Sequence, residues 1–384
     1  MKHYIYACTC ILICCIGYLT APRVYGEYLF STGVRYDMFA DDLDPESSGF
    51  EISIPVGAAY RRKSYSLSLE TAYISAHVTP DDEGEVSVSN MSDMLISASY
   101  THSFANRPLG LIVGLDLNLP TGKERLSKRE KFAEAGQSND LFEVDNLGDG
   151  LNVGMSLGIM GDIKELSAGI QGAYVVNGEY DSTRDTPDDD IDPGDQMLAL
   201  ALLGWQTSPR LTLETFLVYS HFFPDTVMGQ ESFRAGNNLV FGTSIRYDRK
   251  PVGIALSLQG TMQGKNQELT KGALHAEREN SNGKDFFGLL NVTYRPFSKL
   301  ILRVLGDVRY YGESDLKTEE SGLPFESQRI RYAAGPGFVY ALTEHISCDG
   351  LIKFFTMTQK PDATLAQEVT FQGINFDLGF TYTL

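Results

Sequence analysis

Cysteine is nearly absent beyond the first fifteen residues. Four of the five (Cys8, Cys10, Cys14 and Cys15) crowd into the N-terminal segment, and Cys348 alone lies downstream. With that segment removed, one thiol remains and no internal disulfide can form. Long apolar runs are as scarce. Residues 5–19 form one, short of the ~20 that a spanning helix needs. A helical membrane protein is excluded, and the mean hydropathy of -0.16 agrees. A β-barrel is not, because its alternating positions average out in any window. Positive charge is also short. Lys and Arg number 32 against 50 Asp and Glu, a net -18 that becomes -20 if Lys2 and Arg23 leave with the leader. So acidic a chain lacks the basic footprint of nucleic-acid binding and repels anionic polymers. Metal-ligand spacing of His and Cys is missing too, so neither a metal nor a cofactor is expected.

What is present begins with a leader. Residues 1–26 combine a short basic start (Lys2, His3), the apolar run, and Val24 and Gly26 before Glu27. This reads as a cleaved secretory signal. A lipoprotein would need a small residue before the modified cysteine, where Leu12 and Ile13 stand instead.

From Tyr28 onward, apolar residues recur at every second position. Tyr28, Phe30, Thr32, Val34, Tyr36 and Met38 share one face, and Phe50, Ile52, Ile54, Val56, Ala58 and Tyr60 share the next. A side-chain period of two is a strand with one apolar and one polar face. Short turns (61–64, 105–108, 161–164, 208–210, 248–251, 296–298 and 343–345) alternate strictly with long loops. The loops lie near 39–49, 77–90, 120–149, 178–195, 222–236, 264–284, 312–328 and 357–372. The pattern predicts an all-β, antiparallel, up-and-down transmembrane β-barrel over residues 27–384, a single domain of about sixteen strands with fourteen as the alternative. Residues 109–119 and 252–262 alternate most cleanly, whereas 197–205 put Leu and Ala on both faces. Tyr60, Trp205, Tyr247, Tyr294 and Tyr340 precede short turns, while Tyr36, Tyr73, Tyr174, Tyr219 and Tyr310 sit near long loops. Two aromatic rows at the strand ends are expected of interfacial girdles. A soluble β-sandwich, the rival fold, predicts loops of similar length at both ends.

The polar faces supply the candidate lumen. Arg35, Glu51, Glu70, Asp116, Arg246, Arg303, Asp307, Arg309, Arg331, Asp349, Lys353 and Asp377 fall at inward positions. Facing charges of both signs would set a transverse field and a size limit on solutes, or simply solvate the wall. Cys348 falls on the outward face. The densest acidic run holds Asp188, Asp189, Asp190, Asp192 and Asp195. It lacks EF-hand spacing and reads as a self-repelling external loop that would favour cations or neutral solutes at the mouth. His77, His221 and His275 lie near strand ends or in loops with Ser and Asp nearby, but no nucleophile motif accompanies them, so no enzyme is expected.

Two resemblances add to this. Residues 374–384 alternate Ile374, Phe376, Leu378, Phe380, Tyr382 and Leu384 with polar residues, and the sequence stops on them. That ending resembles the C-terminal strand read by the bacterial barrel-assembly machinery, which implies the outer membrane, its lipid and lipopolysaccharide as surroundings. Residues 109–122, ending Pro120-Thr121-Gly122, resemble the strand ending in PTG of the outer-membrane transporters linked to meta-pathway phenol degradation. The resemblance implies passive uptake of small, aromatic or apolar solutes. A barrel with a blocked lumen that serves structure or surface contacts, and a barrel-embedded hydrolase, are the alternatives.

Overall fold

A computed structural model describes residues 27–41, 48–79, 85–104, 108–123, 125–127, 130, 133, 148, 150–181, 190–315, 327–361 and 367–384. The expected leader, residues 1–26, lies outside them. In chain order the strands are β1 (Glu27–Asp41), β2 (Ser48–Arg62), β3 (Tyr65–Thr79), β4 (Val86–Met91), β5 (Met94–Ser103) and β6 (Leu109–Leu119). Next come β7 (Asn152–Ile163), β8 (Leu166–Asn177), β9 (Tyr180–Asp181), β10 (Asp190–Asp192), β11 (Gln196–Ser208) and β12 (Leu211–Phe222). The rest are β13 (Asp225–Val227), β14 (Gln230–Arg234), β15 (Asn238–Arg249), β16 (Val252–Gln263), β17 (Gln267–Thr270), β18 (Ala273–Ala276), β19 (Lys284–Phe297), β20 (Leu300–Tyr311), β21 (Arg329–Ala341), β22 (Ile346–Gln359) and β23 (Val369–Thr383).

Sixteen wall positions close into an antiparallel up-and-down barrel, with β4 and β5 sharing one position beside β3. Closure is made by β1 against β23, in register from Leu29 opposite Thr383 to Asp41 opposite Phe371. A closed barrel leaves no edge of unpaired N–H and C=O groups, the condition for strands to lie in lipid. The outer face meets that condition chemically as well. Phe30, Val34, Leu157, Ile170, Leu203, Leu217, Leu258, Leu290, Val304 and Phe354 stand 43–66% exposed around the wall. Trp205, Tyr294 and Tyr340 are exposed at the short-turn end, and Tyr73, Tyr174 and Tyr219 at the long-loop end, as the girdle pattern requires.

Strands outrun their sequence-based limits at the long-loop end. The predicted loop 77–90 is largely strand, because β3 runs to Thr79 and β4 begins at Val86. Val86 and Val88 point inward and pack on Ile74 and Ala76. Outside, Ser75 and Ser89 share a 2.6 Å hydrogen bond. At Ser92–Asp93 one extra residue bulges the wall, and the Ser92 hydroxyl accepts the Ala72 N–H at 2.9 Å in place of a ladder carbonyl. The loops 178–195, 222–236 and 264–284 are likewise not merely polar coil. They contribute a second, six-stranded sheet in the order β18-β17-β14-β13-β10-β9 above the long-loop rim. Two of the short turns sit about two residues later than expected, at 164–165 and 298–299.

Leu378 faces out and Asp377 faces in, where Arg35 Nε donates to it at 2.7 Å. A Lys on the lipid face near the midplane costs roughly 2–4 kcal/mol. Leu378→Lys should therefore reduce the heat-modifiable, folded fraction in membranes far more than Asp377→Asn, scored by gel migration of unboiled samples.

Candidate functional site: a lumen with two unlike walls

All twelve inward charged candidates fall on the inner face, at positions alternating with the exposed apolar residues. They do not form a uniformly solvated wall. Across β19–β23, β1 and β2 they gather into a network whose centre, Glu51, Asp307, Arg331 and Lys353, is buried. Arg331 donates to Asp307 at 3.2 Å and to Asn375 at 2.8 Å, and its guanidinium lies 4.6 Å from the Phe355 ring centre. Asn375 in turn donates to Asp37 at 2.8 Å, and Lys353 reaches Asp307 at 3.5 Å. Asp37 stands opposite Glu51 in the ladder, and neither is more than 1% exposed. Nearer the long-loop end, Arg309 pairs with Asp285 at 3.3 Å, and Arg309 and Arg329 each lie 4.7 Å from the Tyr311 ring. Nearer the turns, Arg303 and Asp349 approach to 3.8 Å. The other three stand apart. Asp116 accepts from the Ser97 hydroxyl at 2.6 Å, and Glu70 and Arg246 are exposed to the interior.

Asp37, Asn375, Asp285 and Arg329 belong to this network without having been singled out in the sequence. Their parity was legible, since Asp37 follows Arg35 by two and Asn375 precedes Asp377 by two. Their burial was not. It arises because apolar residues close over the same sector: Phe39, Ala333, Phe355 and Met357 form one cluster, and Ile74, Ala76, Val86, Val88, Leu126 and Ala133 another. Val78 packs against both.

Among the described residues after β6, Leu126 and Ala133 lie inside the barrel, buried against Ile74, Ala76, Val86 and Val88. The hinge of this inward stretch is the Pro120-Thr121-Gly122 segment. Asp93, set by the bulge, accepts the Gly122 N–H at 2.8 Å and the Asn118 amide at 2.7 Å, while the Thr121 hydroxyl donates to the Ser92 carbonyl at 3.2 Å. Beyond the hinge, Lys123 Nζ donates to Glu130 Oε1 and the Ser127 N–H donates to Oε2 at 2.8 Å. Burial alone would raise the Glu130 carboxyl. The Lys123 ammonium and the Ser127 donors outweigh it and hold the group at about 2.

The opposite inner wall is apolar. Val175, Leu198, Leu200, Val218 and Val240 pack side by side across β8, β11, β12 and β15, with Ala173, Leu202 and Phe216 beside them. This is why residues 197–205 carry Leu and Ala on both faces: one set meets lipid and the other lines the lumen. Counting positions around the wall, β11 and β12 stand diametrically across from the β23–β1 seam.

The external acidic run divides differently. Asp188 and Asp189 lie outside the described residues, and Asp190 sits in β10 opposite Asp181. Asp192 is exposed and accepts from Thr226 at 3.4 Å. Asp195 is structural, accepting from the Tyr174 hydroxyl and, at 3.3 Å, from the Asn177 N–H. Of the histidines, His77 stacks on Phe50 and meets Glu85 at 3.3 Å, and His221 meets Asn237 at 3.0 Å and Arg234 at 3.3 Å.

No family model and no curated protein sequence matches the chain, so the resemblance of residues 109–122 to the meta-pathway transporters gains no support from them. Among solved structures, the CymD monoaromatic hydrocarbon channel is similar at 13% identity over 94% of this chain and 89% of that one, with a TM-score of 0.44. Pseudomonas aeruginosa OccK7 is similar at 10% identity over 94% and 99%, TM-score 0.45. A TodX monoaromatic hydrocarbon channel mutant is similar at 11% over 94% and 91%, TM-score 0.43. At such scores the likenesses decide nothing about what this chain carries.

Breaking a buried pair strands its partner, at roughly 3–5 kcal/mol. Asp307→Ala should therefore lower the unfolding temperature of the barrel markedly. Glu70→Ala, on an open part of the wall, should stay within about 0.5 kcal/mol of the parent. Differential scanning of the two purified variants compares them.

Because Glu130 titrates below its ordinary value of 4.5 in the folded state, its contribution to holding the inward loop is complete above about 4.5 and is lost as pH falls through about 2. A Leu126→Trp reporter in a Trp205→Phe background should shift its emission to the red over that window. Added Glu130→Gln should give the shifted emission already at neutral pH.

Proposed function

We propose that the protein is a channel of the bacterial outer membrane for the passive uptake of small solutes, with its apolar inner wall favouring neutral, apolar or aromatic ones. The carrying observation is the apolar sector of β8, β11, β12 and β15, set inside a closed barrel whose outer face is already apolar. A pore for ions and sugars has no use for Leu and Val along its inner wall, since exposing them to water forfeits about 25 cal/mol per Å². A wall that is apolar on one side and ionic on the other lets an apolar solute slide along the first while its polar group faces the second. Barrels of this strand number leave an aqueous channel, and the inward loop narrows it on the β3–β4 side. The short turns would face the periplasm and the long loops the exterior. There the acidic residues would enrich cations over anions at low salt.

One observation favours a second reading, a barrel whose lumen is blocked. Ile74, Met357, Asn375 and Asp37 are wholly buried inside the barrel. Planar-bilayer conductance separates the readings, since a sealed barrel passes no current.

For the channel reading, Leu200→Asp should cut uptake of benzyl alcohol by about tenfold, the equivalent of 1.4 kcal/mol of lost apolar contact. Glycine uptake should hardly change. Initial uptake rates into cells expressing each form measure both, and an equal loss for both solutes would argue for general damage to the pore.

A further inference from the structure

We propose that Glu214 and Arg246, at the short-turn end of the apolar wall, form a binding station for a zwitterionic solute. Its occupant is an α-amino acid with an apolar or aromatic side chain, which carries no net charge. This rests on the channel reading above and gives it a place and a solute class.

The two charges are neighbours that do not satisfy each other. Of the six cations among the inward candidates, five lie within 3.8 Å of a carboxylate. The sixth, Arg246, is exposed to the interior and has no carboxylate partner among the described residues. Glu214 is its diagonal neighbour on β12, because Glu214 pairs with Ser244 and Arg246 with Thr212. Diagonal neighbours in a ladder sit roughly 7–8 Å apart, within reach of each other for side chains this long. The Ser244 hydroxyl instead donates to Glu214 Oε2 at 3.2 Å and keeps the carboxylate on its own side. The other carboxylate near Arg246 along β15, Asp248, faces Arg295 at 3.8 Å.

The surroundings narrow the occupant. Beside Arg246 on β16 the inward residues are small, with Ala255 opposite Arg246 and Ser257 opposite Ser244. Two residues beyond Glu214, toward the long-loop end, stands Phe216. A Cβ on Gly242 would meet its ring at 2.6 Å, so the half-buried ring lies against the wall at that glycine. Phe216 also packs on the cluster that holds Val218 and Val240. A solute following the apolar wall from the long-loop end therefore meets an aromatic ring, then an anion and a cation side by side. An α-amino acid carries the matching groups in one small molecule. Its side chain suits Phe216, its ammonium Glu214, and its carboxylate the planar fork of the Arg246 guanidinium. A simple anion would meet Glu214 as a repulsion and a simple cation would meet Arg246 as one.

The test is saturation-transfer NMR of the detergent-solubilised full chain with three ligands, read on their ring protons. L-phenylalanine carries both charges, N-acetyl-phenylalanine lacks the ammonium, and phenylalaninamide lacks the carboxylate. Phenylalanine should bind about fivefold more tightly than either analogue, the upper end for a solvent-exposed ion pair. Glu214→Gln should remove most of the difference between phenylalanine and N-acetyl-phenylalanine. Arg246→Gln should remove most of the difference between phenylalanine and phenylalaninamide. Heat-modifiable migration confirms that both variants fold, and the comparison of ligands on the parent needs neither. Equal binding of the three ligands by the parent, or differences that survive both substitutions, overturns the proposal. Conductance of the same protein in planar bilayers keeps the two readings apart. Current without the preference for phenylalanine defeats the station alone, and that preference without current defeats the channel alone.

Discussion

Everything in this structure depends on the hydrogen bonding of one seam. In a hydrocarbon layer an unpaired backbone group costs several kcal/mol, so the wall holds only if its first strand pairs with its last. The β1–β23 ladder does this over thirteen paired positions, from Leu29–Thr383 to Asp41–Phe371. The lumen side adds two side-chain links across the same seam, Arg35 to Asp377 and Asn375 to Asp37. Each joins residues more than 300 apart in sequence, so they form only when the ring is complete. Arg331 extends the second link to Asp307 and so to β20. The charged cluster inside the barrel is thus first a closure device, and its effect on solutes follows from where it sits.

That placement divides the lumen. Ion pairs buried this deeply are held by mutual satisfaction, because any one partner left alone would be more costly than the pair. Phe355, Met357 and Phe39 lie over this sector and Leu126 over the neighbouring one, keeping water from both. The other side is apolar instead: Leu200, Val218 and Val240 pack together there, with Leu202 half-buried beside them. The Asp93 bulge links the two halves. It interrupts the wall strand and fixes the Gly122 hinge, and the inward loop springs from there.

The wall was legible in the sequence and the contents of the lumen were not, for a physical reason. Lipid contact enforces a strict rule, apolar at every outward position, so strand parity, faces and turns could be read directly. Leu109–Leu119 is found at its expected bounds. The inner face obeys no such rule. Asp307 and Glu70 share one pattern, yet the first is buried among cations and the second faces open space, because neighbours on other strands decide it. The one inner feature the sequence did signal is the apolar sector, through the failed alternation of residues 197–205. The loops misled for the converse reason. Their polar composition reads as coil, but β9, β10, β13, β14, β17 and β18 pair with one another across three separate loops, and pairing between distant segments leaves no local mark.

On the proposed channel reading, the lumen is open beside half-buried Leu202 and sealed around Ala333. Single cysteines placed by Leu202→Cys and Ala333→Cys in a Cys348→Ser background test this directly. A small, charged, membrane-impermeant thiol reagent is added to the reconstituted barrel, and modification is followed over time. The structure predicts rapid modification at position 202 and protection at position 333, which is 5% exposed within the sealed cluster. Equal rates at both positions, or protection at 202, would contradict it.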